Sequence, residues 1–594
     1  MKNFTFSTKK KISLMLFSLV LTGISYGATF TASTSGKFSS TATWSGGVVP
    51  PTTVLVDQIV IQSGVTVNLD NNITINGAIA ELDVAGTLTT STNSTLTLTL
   101  GTLKGAGVIV LNTVDVNASS TFSFTGSLTA STLNTASDLQ SSATIVVGQA
   151  MNLKSGTLSL VSGGSLQMSN NGTIYISGGL LSLGSGGSVN LTGNYNVTYT
   201  NNSSVAGVEL TGSGLNNVTV NVNSSSTVTL SSDLVLGGTL SLTSGTLLLS
   251  GKDLTINGDI AGSGSGTIAA TLPSSITIAT ASSTSGSLNF SSTANTVKNL
   301  TLSIGNSGST SIGSNLYVND VLQFNAGKLN IDDNALIIGA TGSIKGSGSS
   351  SYIITTSGGY VEMHATAGGS TSIYYPVGTS TNYAPAYINL QSGSAAGQVR
   401  VGVVSDVMAQ GTTGTDISAT LPLVDATWNV SSDVTANLNM DLQVMWSAAM
   451  EVNGFNRGSA YISHFTNAKW DMSAKAAATA EAGGMFSLKR TGLTSLSPFA
   501  VYDQKTAAAV DEVNKNISFE LYPNPAVENI VIHNNTTSAE PINIAIYNAY
   551  GQLIGNYKLT GTNPTIPVTD LVSGNYYIKF YNNNVSTTKS FIKI

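Results

Sequence analysis

The chain has 594 residues, of which 41% are hydrophobic and only 9% are charged, with 62 glycines, no cysteine and a net charge of −6. This length exceeds one ordinary domain, and low charge combined with high hydrophobicity is the reverse of a disordered composition. The negative charge argues against nucleic acid as a partner, and the lack of cysteine excludes stabilisation by disulfide bonds.

The first 27 residues predict a signal peptide. Lys2 and the run Lys9-Lys10-Lys11 form a basic region, followed by the apolar run "ISLMLFSLVLTGI" and the small residues of "SYGA". The alternative, a membrane anchor, needs a longer apolar run than this one. We therefore expect cleavage between Gly27 and Ala28, and a mature chain without a transmembrane segment that is exported through the periplasm.

Residues 42–75 predict an entry module, in which a segment with tryptophan, glycine and proline leads into the first V-x-I strand. Trp44 is expected to cover the end of the core, where the first coil has no neighbour. Stacking of Trp44 against a ligand is the alternative.

A short apolar phrase recurs five times between Ser155 and Leu191. Its apolar–x–apolar triplets are Leu158/Leu160, Leu166/Met168, Ile174/Ile176, Leu181/Leu183 and Val189/Leu191. Period-two alternation predicts short strands with one buried face, and the intervening Gly, Asn and Ser residues predict tight turns. Because Asn-Gly and Asp-Gly pairs do not recur at two-residue loops, we expect a coil of three strand-turn units, about 24 residues long, rather than hairpins.

A longer repeat supports this solenoid. Apolar and glycine positions recur 82 residues apart, at Leu234/Leu316, Leu240/Leu322, Leu242/Phe324, Gly245/Gly327, Leu247/Leu329 and Ile256/Ile338. We predict a right-handed parallel β-solenoid, or β-helix, over residues 28–350 including the entry module, with about 12 coils from residue 50 onward. Outward Ser, Thr and Asn side chains would form ladders between coils, where like charges would repel. An array of small β-sandwiches is the alternative fold.

Longer alternating strands follow the predicted solenoid. Residues 351–503 carry about seven to nine such strands and three of the four tryptophans, which favours an antiparallel β-sandwich. Residues 504–516 are rich in alanine and charge and predict a linker.

The last segment, residues 517–594, predicts a small Ig-like β-sandwich of about seven short strands. Pro523 and Pro525 remove two backbone donors, so the stretch Tyr522-Pro523-Asn524-Pro525 is expected to be an extended edge segment. Gly551 is expected to turn a hairpin, and Gly574 to begin the final strand pair.

This tail closely resembles the type A C-terminal sorting domain of the type IX secretion system of Bacteroidetes. The matching pieces are Tyr522-Pro523-Asn524-Pro525, the hairpin "IYNAYGQLI" with Gly551, "LVSGNYYIKF" with Gly574 and Tyr576, and the closing "KSFIKI" with Lys593. The resemblance implies recognition by the translocon and sortase, passage of the folded cargo across the outer membrane and attachment to surface lipopolysaccharide. An ordinary terminal β-sandwich is the alternative.

The chain shows no motif for catalysis, metal binding or a cofactor. His364, His464 and His533 lie in separate segments, and no phosphate loop, G-x-S-x-G or H-E-x-x-H motif occurs. The carboxylates of the solenoid are scattered, at Asp253, Asp259, Asp320 and Asp332-Asp333. We therefore predict no catalytic, metal-binding or cofactor-binding residues.

Two further candidate sites remain. Asp332-Asp333-Asn334 could contact calcium, although the nonapeptide pattern of calcium-binding repeats is missing. Trp446, Glu451, Trp470 and Asp471 could form a sugar-binding patch, but packing in the sandwich core explains the same residues more simply.

The sequence therefore indicates a non-enzymatic, adhesin-like structural protein on the outer cell surface or in the medium, with a glycan or matrix component as ligand. The alternative is an extracellular β-helix protein that binds carbohydrate or degrades polysaccharide.

Overall fold

The computed structural model describes residues 27–594 apart from eleven short gaps. The gaps are residues 118, 262–263, 282–285, 306–307, 367, 369–371, 435, 505–518, 535–541, 560–562 and 582–585. The predicted signal peptide up to residue 26, and the predicted linker except Gln504, lie outside the described residues. The chain divides into an N-terminal unit ending at Ile268 and a C-terminal unit, Ala269–Ile594.

The described residues of the N-terminal unit are built from short strands and two 3₁₀ turns, Thr41–Thr43 and Val208–Leu210. The strands are β1 (Thr29–Ala32), β2 (Gly36–Lys37), β3 (Thr53–Val54), β4 (Gln58–Ile61), β5 (Thr66–Asn68), β6 (Ile73–Val84), β7 (Thr87–Thr89), β8 (Thr95–Gly105), β9 (Val108–Val116), β10 (Thr121–Phe124), β11 (Ser127–Thr135), β12 (Leu139–Ser141), β13 (Thr144–Leu153), β14 (Gly156–Leu160), β15 (Ser165–Met168), β16 (Gly172–Ile176), β17 (Gly179–Leu183), β18 (Ser188–Asn190), β19 (Tyr195–Asn201), β20 (Ser204–Val205), β21 (Leu215–Val222), β22 (Thr227–Thr229), β23 (Leu234–Leu236), β24 (Leu240–Ser244), β25 (Thr246–Leu248), β26 (Leu254–Ile256) and β27 (Ile260–Ala261).

Strand β28 (Thr267–Ala270) crosses the division, and the C-terminal unit continues with further strands and the 3₁₀ turns Ala448–Met450, Arg457–Ser459 and Ala482–Gly484. Up to Asp503 its strands are β29 (Ile276–Ile278), β30 (Ser287–Leu288), β31 (Phe290–Ser303), β32 (Ser309–Ile312), β33 (Leu316–Ala326), β34 (Lys328–Asn330), β35 (Ala335–Ile338), β36 (Ser343–Lys345), β37 (Ile353–Ile354), β38 (Tyr360–Ala365), β39 (Ile373–Tyr375), β40 (Val377–Gly378), β41 (Ala386–Leu390), β42 (Gly397–Val404), β43 (Met408–Gln410), β44 (Thr413–Asp416), β45 (Leu423–Ser432), β46 (Met440–Ser447), β47 (Glu451–Val452), β48 (Ala460–Thr466), β49 (Lys469–Trp470), β50 (Thr479–Ala480), β51 (Met485–Leu493) and β52 (Pro498–Asp503).

The repeated phrase forms coils of three strands. Leu158 pairs in parallel with Leu181, and Leu166 pairs with Val189, so the first triplet stacks on the fourth and the second on the fifth. In these two coils, equivalent residues such as Ser159 and Ser182 are therefore 23 positions apart. This confirms the parallel solenoid, because hairpins would pair neighbouring triplets in antiparallel register.

The apolar side chains of successive coils stack into one continuous core. One column, in which each residue pairs with the next, runs Val67, Leu88, Ile109, Leu128, Ile145, Leu166 and Val189. The members from Val67 to Leu166 are at most 2% exposed. Each coil therefore buries the apolar face of the coil before it, as expected for a repeat whose single units cannot bury their own core.

The entry module is itself the first coil. Strands β1, β2 and β3 pair in parallel with β4, β5 and β6. The Trp44 ring is 3% exposed and packs edge-on against Phe38 at a centroid distance of 5.3 Å. Its indole N–H donates to the Phe38 carbonyl at 2.8 Å. This burial is consistent with a cap over the first coil, and it leaves no exposed ring face for ligand stacking.

Polar side chains outside the core form the expected ladders. The hydroxyls of Ser159 and Ser182 lie 2.7 Å apart, and the Asn152 amide donates to Asn134 Oδ1 at 2.6 Å. Asn134 in turn donates to Asp115 in the preceding coil. Hydrogen bonds of this kind connect equivalent positions of stacked strands, mostly between neutral side chains, with Asp115 as a carboxylate member.

Parallel pairing continues past residue 350, where the sequence places the domain boundary. Leu336 pairs with Val361 and Ile353 with Val377, both in parallel. The solenoid has about 15 turns in the part of the chain that the structure describes. The sequence predicts about 12 coils of about 24 residues each from residue 50 to 350. Many observed coils are shorter, since paired residues along the column Val67, Leu88, Ile109, Leu128 and Ile145 are 17–21 positions apart. Parallel pairing also extends on both sides of the predicted range.

Strand β38 joins the parallel and antiparallel regions of the C-terminal unit. It pairs with β35 in parallel on one side and with β42 in antiparallel register on the other. Antiparallel strands then form one sheet through β42, β45, β48 and β52, and a second in the order β39, β41, β46, β51, β50. The described residues therefore form an all-β protein in which a parallel solenoid precedes antiparallel sheets, as predicted.

Candidate functional site

The C-terminal tail folds as two small antiparallel sheets around one core. Its strands are β53 (Phe519–Tyr522), β54 (Asn529–Asn534), β55 (Ile542–Asn548), β56 (Leu553–Leu559), β57 (Thr565–Pro567), β58 (Gly574–Tyr581) and β59 (Ser586–Lys593). The sheet orders are β53-β54-β57 and β56-β55-β58-β59. Phe519 stacks on Phe580 across the core at a centroid distance of 4.1 Å. The seven described strands agree with the number expected from sequence.

The Tyr522-Pro523-Asn524-Pro525 segment is attached to the last strand by Asn524. Asn524 Oδ1 accepts the backbone N–H of Ile592 at 2.9 Å, and its Nδ2 donates to the Ser590 carbonyl at 3.3 Å. The backbone N–H of Ala526 then donates to the Ile592 carbonyl at 2.8 Å. Because Pro523 and Pro525 have no N–H, the Asn524 side chain supplies hydrogen bonds that the backbone cannot. The Tyr522 ring remains 45% exposed.

Gly551 completes the hairpin between β55 and β56. Its φ is +80°, and its N–H donates to the Asn548 carbonyl at 3.0 Å. Asn548 Oδ1 accepts the backbone N–H groups of Tyr550 and Gln552, each at 3.0 Å. The Tyr550 side chain at the tip is 95% exposed. The hairpin therefore needs a glycine at position 551 and presents an aromatic ring to solvent.

The remaining motif residues lie in the final strand pair. Gly574 begins β58 and is paired with Lys593 of β59. The Tyr576 ring stacks on Phe591 at 5.5 Å, and its hydroxyl donates to the Val572 carbonyl at 2.9 Å. The Lys593 side chain is buried and donates to the Ile594 carbonyl. Asn524, Gly574, Tyr576 and Lys593 therefore all contact or form the last two strands, whereas Gly551 belongs to the opposite edge of the sheet.

Comparison with known families assigns this tail. Residues 520–594 match the family described as secretion system C-terminal sorting domain. The tail is a secretion-system sorting domain. The sorting domain marks the chain as a cargo of the type IX secretion machinery, exported to the cell surface or beyond, with a β-solenoid upstream. No curated protein matches the chain.

The four residues proposed for a sugar-binding patch, Trp446, Glu451, Trp470 and Asp471, all form hydrogen bonds with other residues of the protein. Trp446 is fully buried, and its indole N–H donates to Glu451 Oε1 at 2.8 Å. Glu451 also pairs with Arg457 through two hydrogen bonds of 2.7 Å. The Trp470 indole N–H donates to the Met408 carbonyl at 2.8 Å.

Asp471, the fourth of these residues, is paired with Arg490 by two hydrogen bonds of 2.7 and 2.6 Å. Burial acts to raise the pKa of Asp471, but these hydrogen bonds and one from the His464 backbone outweigh it and lower the pKa. Packing and ion pairing therefore account for all four side chains.

The Asp332-Asp333-Asn334 turn is also satisfied internally. Asp332 Oδ1 accepts the Asn330 amide at 2.9 Å. Asp333 Oδ1 accepts the Thr356 hydroxyl and the Gly358 N–H, which lowers the pKa of Asp333. The Asn334 amide donates to the Ile331 carbonyl at 3.0 Å. Across the described residues, no group of three or more His, Asp or Glu side chains is placed to hold a metal ion.

The three histidines lie in different strands, as their sequence positions suggest. His364 is in β38, His464 in β48 and His533 in β54. His464 stacks on Phe499 at 4.5 Å, and burial lowers its pKa below the ordinary value. In the described ranges, no helix is long and apolar enough to span a bilayer.

Glu209 is a chemically distinctive residue that the sequence analysis missed. It lies 1% exposed in the N-terminal unit, where Tyr199 donates its hydroxyl to Oε1 at 2.6 Å and Gly207 its N–H at 2.7 Å. Burial raises the pKa of this carboxyl. The only sequence signal was an isolated Glu in an almost uncharged segment.

Proposed function

We propose that this chain is a non-enzymatic, adhesin-like structural protein that the type IX machinery delivers to the surface of the producing bacterium or releases. The observation that carries the proposal is an outer solenoid surface on which hydroxyl and amide side chains form ladders between coils, upstream of a sorting domain. Such ladders offer many weak hydrogen bonds over a large area, which suits adhesion through multiple contacts. Attachment to lipopolysaccharide after export is part of the proposal.

The test is adherence of the producing bacterium to glycan-coated and matrix-coated surfaces, with and without the gene. Loss of the gene is expected to reduce adherence, and complementation with the full chain is expected to restore it. A complementing chain that lacks residues 517–594 is the control, because it should be made but not reach the surface. Equal adherence of all strains would contradict the adhesin-like role.

The second candidate function is binding or degradation of extracellular carbohydrate. It is favoured by a cleft in the C-terminal unit whose lining includes the carboxylates Asp332 and Asp406. Incubation of the exported protein with neutral and acidic polysaccharides separates the candidates. Release of reducing ends or unsaturated products would replace the structural role with an enzymatic one.

A further inference from the structure

A cleft of about 420 Å³ opens where parallel pairing gives way to antiparallel pairing in the C-terminal unit. Its lining comes from Asn330 and Asp332 with residues 354–357 and 379–380, and from residues 404–406, 408, 411–412, 427 and 429. The Thr355 hydroxyl links these two sets of segments, because it donates to the Val403 carbonyl and accepts the Val403 N–H, both at 2.7 Å. The volume is in the range of small-molecule sites in proteins.

Asp406 places an unpaired carboxylate in this cleft. Its φ is +69°, a left-handed value that aspartate and asparagine adopt more readily than other non-glycine residues, and two contacts hold the backbone there. Its N–H donates to Asp425 Oδ1 at 3.1 Å, and the Thr427 hydroxyl donates to its carbonyl at 2.8 Å. The carboxylate itself accepts no hydrogen bond from the residues that the structure describes. Burial, followed by the charges of Asp416 and Asp425, raises the pKa of Asp406.

Asp332 supplies a second carboxylate to the lining of the same cleft, also at positive φ (+46°). Its Oδ1 already accepts the Asn330 amide at 2.9 Å. Asn429 also lines the cleft, but its Oδ1 is shielded from solvent, so a ligand in the cleft cannot reach that atom. The cleft therefore presents carboxylate acceptors that need O–H or N–H donors.

The rest of the lining restricts the ligand further. Ile354, Val404 and Met408 provide apolar contact, whereas no lysine or arginine is among the described lining residues. Acidic sugars would meet two carboxylates without a compensating cation. Sugar rings combine O–H donors with apolar C–H faces, and this combination matches both parts of the lining.

We propose that this cleft binds a neutral, hydroxyl-rich saccharide, with Asp406 accepting hydrogen bonds from its hydroxyls. The proposal rests on the adhesin-like function and identifies the ligand class and the site through which that function acts. The solenoid ladders then contribute area, and the cleft contributes selectivity.

The test uses the exported full chain on an array of neutral, uronic-acid and amino-sugar oligosaccharides, followed by titration of the best neutral ligand. Asp406→Asn keeps the shape and tolerates the positive φ, and is expected to weaken binding at least tenfold. Ser405→Trp, at an exposed position on the cleft wall, is expected to fill the cleft and abolish binding. Asp83→Asn is the matched control, because it removes one carboxylate from the solenoid exterior, and is expected to leave binding unchanged.

Preferential binding of neutral sugars that both cleft variants lose, with circular dichroism unchanged, supports the proposal. Equal binding by Ser405→Trp and the unaltered chain overturns it but leaves the adhesin-like function standing, because the ligand then binds elsewhere. Preference for amino sugars or uronic acids overturns the ligand class. Absence of binding to every oligosaccharide, together with unchanged adherence in the gene deletion, overturns both proposals.

Discussion

Glu209 and Gly245 show how single residues in the solenoid depend on their position within the coil. Glu209 lies inside the N-terminal unit with two hydrogen bonds to Oε1 and none to Oε2 from the described residues. Gly245 lies at a turn with φ of +81°, and its 82-residue repeat partner Gly327 has φ of +86°. The effect of replacing either residue therefore depends on the neighbours that surround it.

Replacement of Glu209 with Gln is expected to remove a pH dependence of stability. Burial raises the Glu209 pKa above its ordinary value of 4.5, so the ionised form is less stable in the folded state than in the unfolded state. The contribution of protonated Glu209 to the free energy of unfolding is fully present below pH 4.5, and it is lost as the pH rises through the raised pKa of the folded state. Urea denaturation at pH 3.5 and pH 8 should show Glu209→Gln gaining stability relative to the unaltered protein as pH increases.

Tyr199→Phe provides the second arm of this experiment. The Tyr199 hydroxyl donates to Glu209 and thereby acts to lower the Glu209 pKa. Removal of this hydroxyl should therefore raise the Glu209 pKa further, so the loss of stability with rising pH should become larger. An identical stability difference between Glu209→Gln and the unaltered protein at both pH values would contradict the role assigned to burial.

Gly245→Ala is expected to destabilise the protein more than Gly64→Ala. Both glycines have positive φ, so each substitution costs about 1 kcal/mol of backbone strain. A Cβ at Gly245 would also lie 2.2 Å from Val222 Cγ2, whereas a Cβ at Gly64 would meet nothing within 4 Å. Thermal unfolding of the two variants measures the difference, and equal melting temperatures would show that Val222 moves aside without cost.

At the scale of the strand, the triplets determine both the buried face and the polar ladder. Leu158 pairs with Leu181 inside the core, while Ser159 and Ser182 meet outside at 2.7 Å. Period-two alternation predicts this division, because successive side chains of a strand point to opposite faces. The same geometry explains the low charge, since identical positions of neighbouring coils lie side by side.

A double substitution tests this explanation of the low charge. Ser159→Asp with Ser182→Asp places two carboxylates at adjacent ladder positions, and repulsion should cost about 1–3 kcal/mol beyond the sum of the single variants. Ser159→Asp with Ser182→Lys is the matched control and should show coupling of the opposite sign. Urea denaturation at low and high salt measures the coupling free energy of both double variants. If the effects of the single Asp substitutions simply add at low salt, repulsion between adjacent ladder positions does not explain the low charge.

At the scale of the whole molecule, we expect export to depend on a folded sorting domain. Phe580 is fully buried and stacks on Phe519, so Phe580→Ala should cost about 3–5 kcal/mol, a large part of the stability of so small a domain. The variant is expected to reduce the amount of protein at the cell surface. Tyr550→Ala is the matched control, because it removes an aromatic side chain that is 95% exposed and should leave the domain folded.

Surface labelling and fractionation of the producing bacterium measure this effect. Accumulation of the Phe580→Ala chain in the periplasm, with the Tyr550→Ala domain still folded, would agree with export through a folded domain. Normal surface levels of the Phe580→Ala chain would show that the secretion machinery recognises the tail even when its hydrophobic core is disrupted.

The sequence by itself determined the all-β class, the three-strand coil, the outward ladders and the sorting domain. These features depend on short-range alternation and on local motifs such as Tyr522-Pro523-Asn524-Pro525. Only the tertiary structure decided that β38 joins parallel to antiparallel strands, that Glu209 is buried, and that Asp332, Asp406 and Asn429 line one cleft. Alternation of apolar and polar residues predicts which face of a strand is buried, but it does not predict which distant strand will pair with that strand. Residues that such pairings bring together therefore cannot be identified from the local sequence.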